Sequence, residues 1–294
     1  MLYSGKELLA ACQRHNCAIW ECVLAEEPQK QEQSQDEFLA DLQKIYDVMK
    51  SAALRGKDEE LTSVSGLLHG NATRLFRHSD AGRLLSPETL RAMSMAISTS
   101  EVNASMGKIV ASPTAGAAGI LPACLVSWQQ RTGCDDNEVL HGMMTAAQIG
   151  AIVMARANVS GAEGGCQAEC GSAAAMAAAA LTELMGGTPE QALNAAGYAL
   201  IHVMGLVCDP IGGRVEYPCF LRNASGVLNA MGAAELALAG IQNFADFDGV
   251  VQAMKEVGDS LPAPLRETGL GGIAKHCHAA FREKNKEQLP LIRE

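Results

Sequence analysis

Aromatic residues are scarce in this chain of 294 residues, since Phe, Trp and Tyr together make up 4%. A β-sandwich core would need aromatic and β-branched residues, so this scarcity disfavours that fold class. Basic residues are also outnumbered, with 23 Lys and Arg against 33 Asp and Glu, and the net charge is −10. No cluster of Lys and Arg offers a basic face for phosphates, and we therefore expect no nucleic-acid partner.

Long hydrophobic runs are missing as well. The longest, over residues 172–181 and 195–207, stay below the roughly 18 residues that a membrane span needs, and His202 interrupts the second. The N-terminus has no basic segment followed by an apolar run, so we expect no signal peptide, no membrane association and a cytoplasmic location. In that reducing compartment the ten cysteines are expected to be buried thiols, metal ligands or catalytic groups rather than disulfides.

The chain is instead rich in alanine, glycine and helix-start signals. Ser86 followed by Pro87 is an N-cap with proline at the first helical position, which predicts a helix to about Thr99. Asp136 or Asn137 can cap the next helix. The remaining pattern predicts helices over residues 138–157, 172–185, 188–207, 221–239 and 247–257. No segment shows the alternation of a strand, so the predicted fold is mainly α.

Charge divides the chain into two parts. Residues 1–60 are rich in charge and carry apolar residues at helical spacing, with a polar loop expected over residues 26–35. The remainder, residues 61–294, has a lower density of charged residues and is rich in small residues. We expect one α-helical domain over residues 1–294, with the more polar helices at its N-terminus. The small residues either allow close helix packing or make room for a prosthetic group, and the sequence leaves both interpretations open.

A glycine-rich segment over residues 101–119 interrupts the helical pattern. Ser112 and Thr114, followed by Gly116 and Gly119, can present hydroxyls and successive backbone N–H groups to an anion. A phosphate loop would end in Gly-Lys-Ser/Thr, whereas this one ends in Gly-Ile-Leu-Pro. The expected anion is therefore a carboxylate, and the alternative is a simple turn between helices.

Three cysteines lie in Gly/Pro-rich loops rather than on apolar helix faces: Cys166, Cys208 and Cys219. Zinc sites favour four ligands and closely spaced cysteine pairs, which Cys166 and Cys170 match but Cys208 and Cys219 do not. Three thiolates with an open fourth position suit an iron–sulfur cluster that acts as a Lewis acid, which this spacing also permits. Ordinary buried thiols are expected at Cys12, Cys17, Cys22, Cys124 and Cys134.

Five long segments of the chain, in order, resemble the α subunit of the bacterial iron–sulfur-dependent L-serine dehydratases (L-serine ammonia-lyases). They read SEVNASMGKIVASPTAGAAGILPA, SGAEGGCQAECGSAAAMAAAAL, GGTPEQAL, GLVCDPIGGRVEYPCFLRNASG and LPAPLRETGLGG. Together with LYSGKELLAAC at the N-terminus they span nearly the whole chain. So many motifs in one order make the resemblance specific.

The resemblance implies a 4Fe–4S cluster held by Cys166, Cys208 and Cys219, with Cys170 a helix residue rather than a ligand. It implies dehydration and deamination of L-serine to pyruvate and ammonia without pyridoxal phosphate, a lyase reaction of amino-acid degradation and gluconeogenesis. The cluster would act as Lewis acid on the substrate hydroxyl. The resemblance also implies a separate β subunit with a Ser-Ser-His-Thr motif that this sequence lacks, and therefore a hetero-oligomer.

The substrate contacts follow from the loop chemistry and the resemblance together. Ser112, Thr114, Gly116 and Arg266 are expected to hold the substrate carboxylate, because backbone donors and a guanidinium both match two oxygens. Asn103 is a candidate for an orienting hydrogen bond. The general base is not identified by the sequence, and the side chains considered for it are Lys108, Glu169 and His202.

Three departures from the family pattern lie in or beside its motifs. Relatives usually read G-L-T-G-G-D-A, whereas Leu68, His69 and Asn71 interrupt that pattern here. Arg214 stands where an aliphatic residue is usual. After the Arg-Glu-Thr-Gly motif relatives continue with A-T-P-T-G, whereas residues 275–279 read Lys-His-Cys-His-Ala. What these departures do to substrate choice and activity is left open by the sequence.

Three alternatives to a serine dehydratase follow from these residues. One is a lyase for another small β-substituted amino acid. A second is an inactive helical homologue that binds a cluster or zinc. A third is a pyridoxal-phosphate lyase, for which Lys108 beside the glycine-rich loop is the only candidate Schiff-base lysine.

Overall fold

The computed structural model describes residues 2–82 and 84–277. Throughout these ranges the chain is built from α-helices joined by short turns. The β-structure of the described residues is limited to two isolated bridges, between Thr62 and His69 and between Cys208 and Arg266. The prediction of a mainly α fold is confirmed.

Twelve α-helices follow one another over residues 5–260. In chain order they are α1 (Gly5–His15), α2 (Ile19–Lys30), α3 (Gln35–Asp58), α4 (Asn71–His78), α5 (Pro87–Ala104), α6 (Ile120–Thr132), α7 (Asp136–Arg156), α8 (Gly161–Gly164), α9 (Ser172–Leu184), α10 (Pro189–Ile201), α11 (Cys219–Leu238) and α12 (Phe247–Ser260). A π-helix, Gln167–Gly171, joins α8 to α9. Residues 272–277 are also helical.

Side-chain caps fix several helix starts. Ser86 accepts a hydrogen bond from the backbone of Thr89 at the start of α5, as its sequence predicts. Thr188 and Gln191 form a reciprocal capping box at the start of α10. At α7 the prediction is off by one residue, because the capping side chain is that of Asp135, which accepts from Glu138 N.

Three predicted boundaries are wrong. The segment 26–35 is not a loop throughout, because α2 continues to Lys30, whose ammonium lies 2.9 Å from Glu26 one turn earlier. Helix α5 runs on to Ala104, past the predicted end near Thr99. Helix α10 ends at Ile201, well before residue 207, because the chain turns there and reaches a left-handed glycine at Gly205.

Helix α9 occupies the centre of the molecule and packs against α6, α7, α10 and α11. Its alanines, residues 173–175 and 177–180, are completely buried. Small side chains let helix axes approach closely, as at Gly119, where an added Cβ would collide with the carbonyl oxygen of Ala96 in α5. The small residues therefore serve close helix packing.

Helix α7 is long and apolar enough to cross a membrane by length and composition alone. Within the protein, however, 72% of its most apolar window is buried. Burial against α9 on one side and α2 on another accounts for its apolar character. Its composition is that of a core helix.

Candidate functional site

Three separate segments bring Cys166, Cys208 and Cys219 towards one another. Cys166 precedes the π-helix, Cys208 lies in an extended stretch after α10, and Cys219 is the first residue of α11. All three are buried, with 2%, 2% and 6% of their surface exposed. Like all ten cysteines, they are free thiols. They are close enough for the charge of Cys166 to raise the pKa of both Cys208 and Cys219.

Cys170 lies directly beside Cys166, with 3.3 Å between the two sulfurs. The residue belongs to the π-helix and is buried, in line with its predicted helical position. A π-turn inserts an extra residue into a helix and is frequent at functional sites. Here it presents Glu169 and Cys170 in the same short turn.

The carboxylate of Glu169 links the glycine-rich loop to the cysteines. Thr114 Oγ1 donates to Glu169 Oε1 at 2.8 Å, and the thiol of Cys208 lies 3.8 Å from Glu169 Oε2. At Gly161 an added Cβ would lie 2.6 Å from Glu169 Oε2 and 2.8 Å from Cys208 Sγ. The absence of a side chain at Gly161 therefore lets the carboxylate and the thiol share one small space.

Backbone hydrogen bonds place the segment 265–267 beside Cys208. Cys208 N donates to Leu265 O at 2.9 Å, and Glu267 N donates to Cys208 O at 2.7 Å. Arg266 is thereby held next to Cys208, half-buried, with Nη1 3.5 Å from the carbonyl oxygen of Glu163. Glu267 has a left-handed backbone, with φ of 62°.

A buried ion pair flanks the thiols. Arg222 Nη2 lies 2.7 Å from Asp209 Oδ1, and only 3% of the Asp209 side chain is exposed. The other terminal nitrogen of Arg222, Nη1, is buried without a hydrogen-bond partner among the described residues. A buried donor without a partner is rare, and a water, an ion or a functional role usually accounts for it. Arg222 lies one helical turn after Cys219, so its cation faces the same region.

Asn223 ties the glycine-rich loop to α11. Its Nδ2 donates to Gly116 O at 2.7 Å and to Cys219 O at 2.9 Å, while its Oδ1 accepts from Gly119 N at 2.9 Å. Asn223 is itself buried. The loop is therefore held against the first turn of α11, where Cys219 lies.

Burial and neighbouring charges shift the pKa values of these groups. Burial raises the pKa of Glu169, a shift that the Glu267 charge increases and the Thr114 hydrogen bond opposes. Burial raises the pKa of Cys219 to about 12, and that of Cys208 well above its usual range. The pKa of Cys166 is lowered, chiefly by its contact with Cys170 and also by the Arg222 charge.

The sequence-predicted residues separate into two groups. Ser112, Thr114 and Gly116 lie on the loop beside Glu169, and the hydroxyl of Ser112 is buried without a partner among the described residues. Lys108 and His202 are exposed, and His202 Nδ1 lies 2.7 Å from Asn229 Oδ1. Asn103 is half-buried in the last turn of α5, and its side chain is hydrogen-bonded neither to Glu169 nor to the three thiols.

Sequence reasoning missed four residues of this site: Gly161, Asp209, Arg222 and Glu267. The spacing of Arg222, three residues after Cys219 at the start of a predicted helix, was a usable signal. Asp209 directly follows Cys208 in the chain, whereas Gly161 and Glu267 meet the site through contacts between distant segments.

The residues that depart from the family pattern lie in different parts of the structure. Leu68 is buried, and the ring of exposed His69 lies 2.8 Å from Thr62 Oγ1. Asn71 donates to the buried carboxylate of Glu101 from both its backbone and its side chain. The carbonyl of Arg214 accepts from Glu216 N. Residues 275–277 belong to the helical segment 272–277, whereas 278 and 279 lie outside the described residues.

Known proteins that are similar to this chain are named for the same activity. A family model described as "Serine dehydratase alpha chain" matches residues 14–274. The "L-serine dehydratase, alpha chain" of Peptoniphilus asaccharolyticus is 48% identical over 275 residues, covering 93% of this chain and 94% of the relative. The "Probable L-serine dehydratase, alpha chain" of Bacillus subtilis is 42% identical over 93% of this chain and 91% of its own length. The "L-serine dehydratase" of Streptomyces coelicolor is 36% identical over 92% of this chain, but only 60% of that longer relative.

Proposed function

Because the chain belongs to the serine dehydratase alpha chain family, we propose that it is the alpha chain of an enzyme that converts L-serine to pyruvate and ammonia. The observation that carries this proposal is the position of Glu169. Its carboxylate lies between the hydroxyl of Thr114 and the thiol of Cys208, in a buried space shared with two further cysteines. A proton acceptor beside ligands for a Lewis-acidic metal suits an elimination.

We infer that Cys166, Cys208 and Cys219 hold a 4Fe–4S cluster. Around a single zinc ion, thiolate sulfurs lie about 3.8 Å apart, given Zn–S bonds of about 2.3 Å. In the described part of the chain, the one group of three such ligands with all donor atoms within 4.8 Å of one another is Cys12, Cys17 and Cys22. The proposed cluster ligands are more widely spread, which suits several irons better than one ion. The unpartnered Nη1 of Arg222 fits an anionic cluster beside Cys166.

When bound, such a cluster supplies an iron with an open position that polarises the substrate hydroxyl. The residues of this chain would hold the amino acid substrate next to that iron. The free hydroxyl of Ser112 and the loop over residues 112–119 are proposed to bind the substrate carboxylate, with Arg266, which lies beside Cys208, as a second contact. Thr114 donates its hydroxyl proton to Glu169, so we propose that it also positions that carboxylate.

Glu169 is the general base that we propose. Of the three side chains considered from the sequence, it is the one that contacts a cysteine, whereas Lys108 and His202 are exposed. Burial makes its ionised carboxylate a stronger proton acceptor, and Thr114 fixes its orientation. Removal of the Cα proton and of hydroxide from Cβ gives aminoacrylate, whose imine tautomer is hydrolysed to pyruvate and ammonia.

A separate β chain is the proposed partner. The Peptoniphilus relative is named as an alpha chain and matches this chain over nearly its whole length, whereas the Streptomyces relative is a longer single chain. The part of the longer protein that this chain does not match is the natural counterpart of a second subunit. We therefore propose a hetero-oligomer, in the reducing cytoplasm that an exposed cluster iron requires.

Co-expression with a cognate β chain and anaerobic purification test the proposal. We expect iron and sulfide in the purified complex, broad brown absorption, and keto-acid formation from L-serine in an assay across small amino acids. The substitutions Cys166→Ser, Cys208→Ser and Cys219→Ser should each abolish the colour and the activity, while Cys134→Ser should leave both. Full cluster retention by Cys208→Ser would overturn the ligand assignment.

The same preparation separates the alternatives. A pyridoxal-phosphate lyase would show a sharper yellow band and would need an enclosed lysine, whereas Lys108 is exposed. A complex with iron and sulfide but no turnover of any small amino acid would identify an inactive homologue. Turnover of another β-substituted amino acid in preference to serine would keep the lyase chemistry and change its substrate.

A further inference from the structure

Three thiols converge at the corner between α1 and α2. Cys12 lies in the last part of α1, Cys17 in the connecting turn, and Cys22 in the first turn of α2. The Cys12 and Cys22 sulfurs are 3.7 Å apart, and those of Cys17 and Cys22 are 2.7 Å apart. All three sulfurs lie within 4.8 Å of one another. The sequence alone predicts ordinary buried thiols at these three positions.

We propose that Cys12, Cys17 and Cys22 form a second metal site, for a soft thiol-binding ion such as Zn²⁺ or Cu⁺. Thiolates are the ligands that select these ions. Three sulfurs about 2.3 Å from one ion lie about 3.8 to 3.9 Å apart, close to the Cys12–Cys22 separation of 3.7 Å. The sulfurs of Cys17 and Cys22, 2.7 Å apart, have to separate by roughly 1 Å, which a rotation of the Cys17 side chain supplies.

The surroundings favour a cation and give it a way in. A groove of about 380 Å³ opens beside the cluster, and Cys12 and Cys17 both line it. Glu190 is the one charged side chain among its lining residues. Cys17 is half-buried, whereas Cys12 and Cys22 are buried. An entry path, a negative rim and three converging sulfurs are the features expected of a usable metal site.

The backbone conformation between α1 and α2 brings the three cysteines close together. Asn16 ends α1 in the left-handed conformation, with φ of 47°, and Cys17 N donates to Cys12 O at 3.0 Å. This tight turn brings α2 back over the end of α1. Helix α1 packs on α10 and α12, and α2 packs on α7. A bound ion would therefore cross-link α1 and α2, which contact different parts of the core.

The site is independent of the proposed function, because it shares no residue with the segments around Cys166, Cys208 and Cys219.

Disulfide formation is a competing reaction at the same corner between α1 and α2. Cys17 and Cys22 could lose two protons and two electrons to a disulfide oxidant and become a disulfide, which would remove two of the three ligands. The experiment therefore uses reducing conditions and measures both outcomes.

The full-length chain, purified anaerobically with a non-thiol reductant, is incubated with Zn²⁺ or, in a separate arm, with Cu⁺, and then desalted. We expect wild type to retain about one more equivalent of metal per chain than Cys17→Ser in at least one arm. The matched control Cys134→Ser, another half-buried cysteine, should retain as much as wild type. The comparison between variants cancels metal taken up at the other cysteines, and the arm with the larger difference identifies the ion.

A second measurement needs no substitution. Alkylation of the wild-type chain followed by peptide mass analysis should show half-buried Cys17 protected when the metal is present and labelled when it is absent, with Cys134 labelled equally in both states. Equal metal retention by wild type and Cys17→Ser in both arms would overturn the proposal. So would metal-independent alkylation of Cys17, or a Cys17–Cys22 disulfide that persists in the reductant.

Discussion

Thr114 donates a hydrogen bond of 2.8 Å to Glu169 across 55 residues of sequence. The contact joins the glycine-rich loop before α6 to the π-helix before α9. It holds one carboxylate oxygen, while the other lies 3.8 Å from the thiol of Cys208. The position of Glu169 is thus fixed from two sides, and the loop that was expected to bind an anion also orients the proposed base.

Substitution Ser112→Ala should impair catalysis without weakening the fold. The Ser112 hydroxyl is buried with no partner among the described residues, so its loss leaves no protein group unpaired. If it binds the substrate carboxylate, its loss costs about 1.5–3 kcal/mol, or roughly a 10- to 150-fold fall in kcat/KM. Steady-state kinetics and urea unfolding measure the two effects.

Ser98→Ala is the matched control for Ser112→Ala. Ser98 is equally buried, but its hydroxyl accepts from Gly56 N at 2.7 Å and donates to Ala52 O at 2.6 Å. The control should lose stability, by about 1–3 kcal/mol, and keep its KM. A stability loss in Ser112→Ala with unchanged kinetics would contradict the substrate role.

Glu169→Gln should lower kcat by about 10²- to 10⁴-fold, the usual contribution of a general base. Glutamine keeps the size of the side chain and can still accept from Thr114, so iron content should match wild type. Iron analysis and keto-acid assays on the same anaerobic preparation check both statements. Retained activity would exclude Glu169 as the base, and lost iron would make it a structural support of the cluster instead.

Gly161→Ala should disturb the site while leaving the fold intact. The added Cβ would lie 2.6 Å from Glu169 Oε2 and 2.8 Å from Cys208 Sγ, so both side chains must move. We expect less bound iron and lower activity, with an unchanged helical circular dichroism spectrum. Gly232→Ala in α11 is the control, because its Cβ meets nothing within 4 Å. It should keep full activity and gain up to about 1 kcal/mol of stability from helix propensity.

Asn71→Ala should destabilise the fold by about 1.5–3 kcal/mol, measured by urea unfolding at neutral pH. The Asn71 amide donates to the buried Glu101 carboxylate at 2.9 Å, beside the backbone donor of the same residue at 2.7 Å. An acidic residue here, as relatives usually have, would put a second carboxylate against Glu101. Arg74→Ala, which removes only an exposed contact to Asn71 Oδ1, should change stability by less than about 0.5 kcal/mol.

Glu183→Gln should flatten the pH dependence of stability. Burial raises the pKa of Glu183 above its ordinary value of 4.5, although Thr145 and the backbone of Ile19 oppose the shift. A raised carboxyl pKa means that the stability contributed by this group is present below pH 4.5 and is lost as pH rises through the folded-state pKa. Glutamine stays neutral, so the variant should lose less stability than wild type as the pH rises above 4.5.

The exposed Glu235→Gln provides the comparison for that pH series. This variant measures how the slope of unfolding free energy against pH changes when an exposed carboxylate is removed instead of a buried one. Parallel slopes for wild type and Glu183→Gln would show that Glu183 is not the group responsible. Glu183→Gln should also retain dehydratase activity, which distinguishes it from Glu169→Gln.

Most helices could be predicted from the sequence because their signals are local. Ser86 with Pro87, and Thr188 with Gln191, mark helix starts through hydrogen bonds within four residues. The helix ends that were predicted wrongly are those that tertiary contacts extend or shorten. Helix α5 gained residues to Ala104, which lie against the core, and α10 lost its last predicted turn.

By itself the sequence determined the helical fold class, the buried alanine-rich α9 and the three loop cysteines, because composition, capping and spacing are properties of short segments. Only the tertiary structure decided that Glu169, rather than Lys108 or His202, meets a cysteine. The same holds for the pairing of Thr114 with Glu169, and for the sulfurs of Cys12 and Cys22, 3.7 Å apart across a helix corner. Such contacts depend on how helices pack and turn, and neighbouring residues in the chain carry almost no information about them.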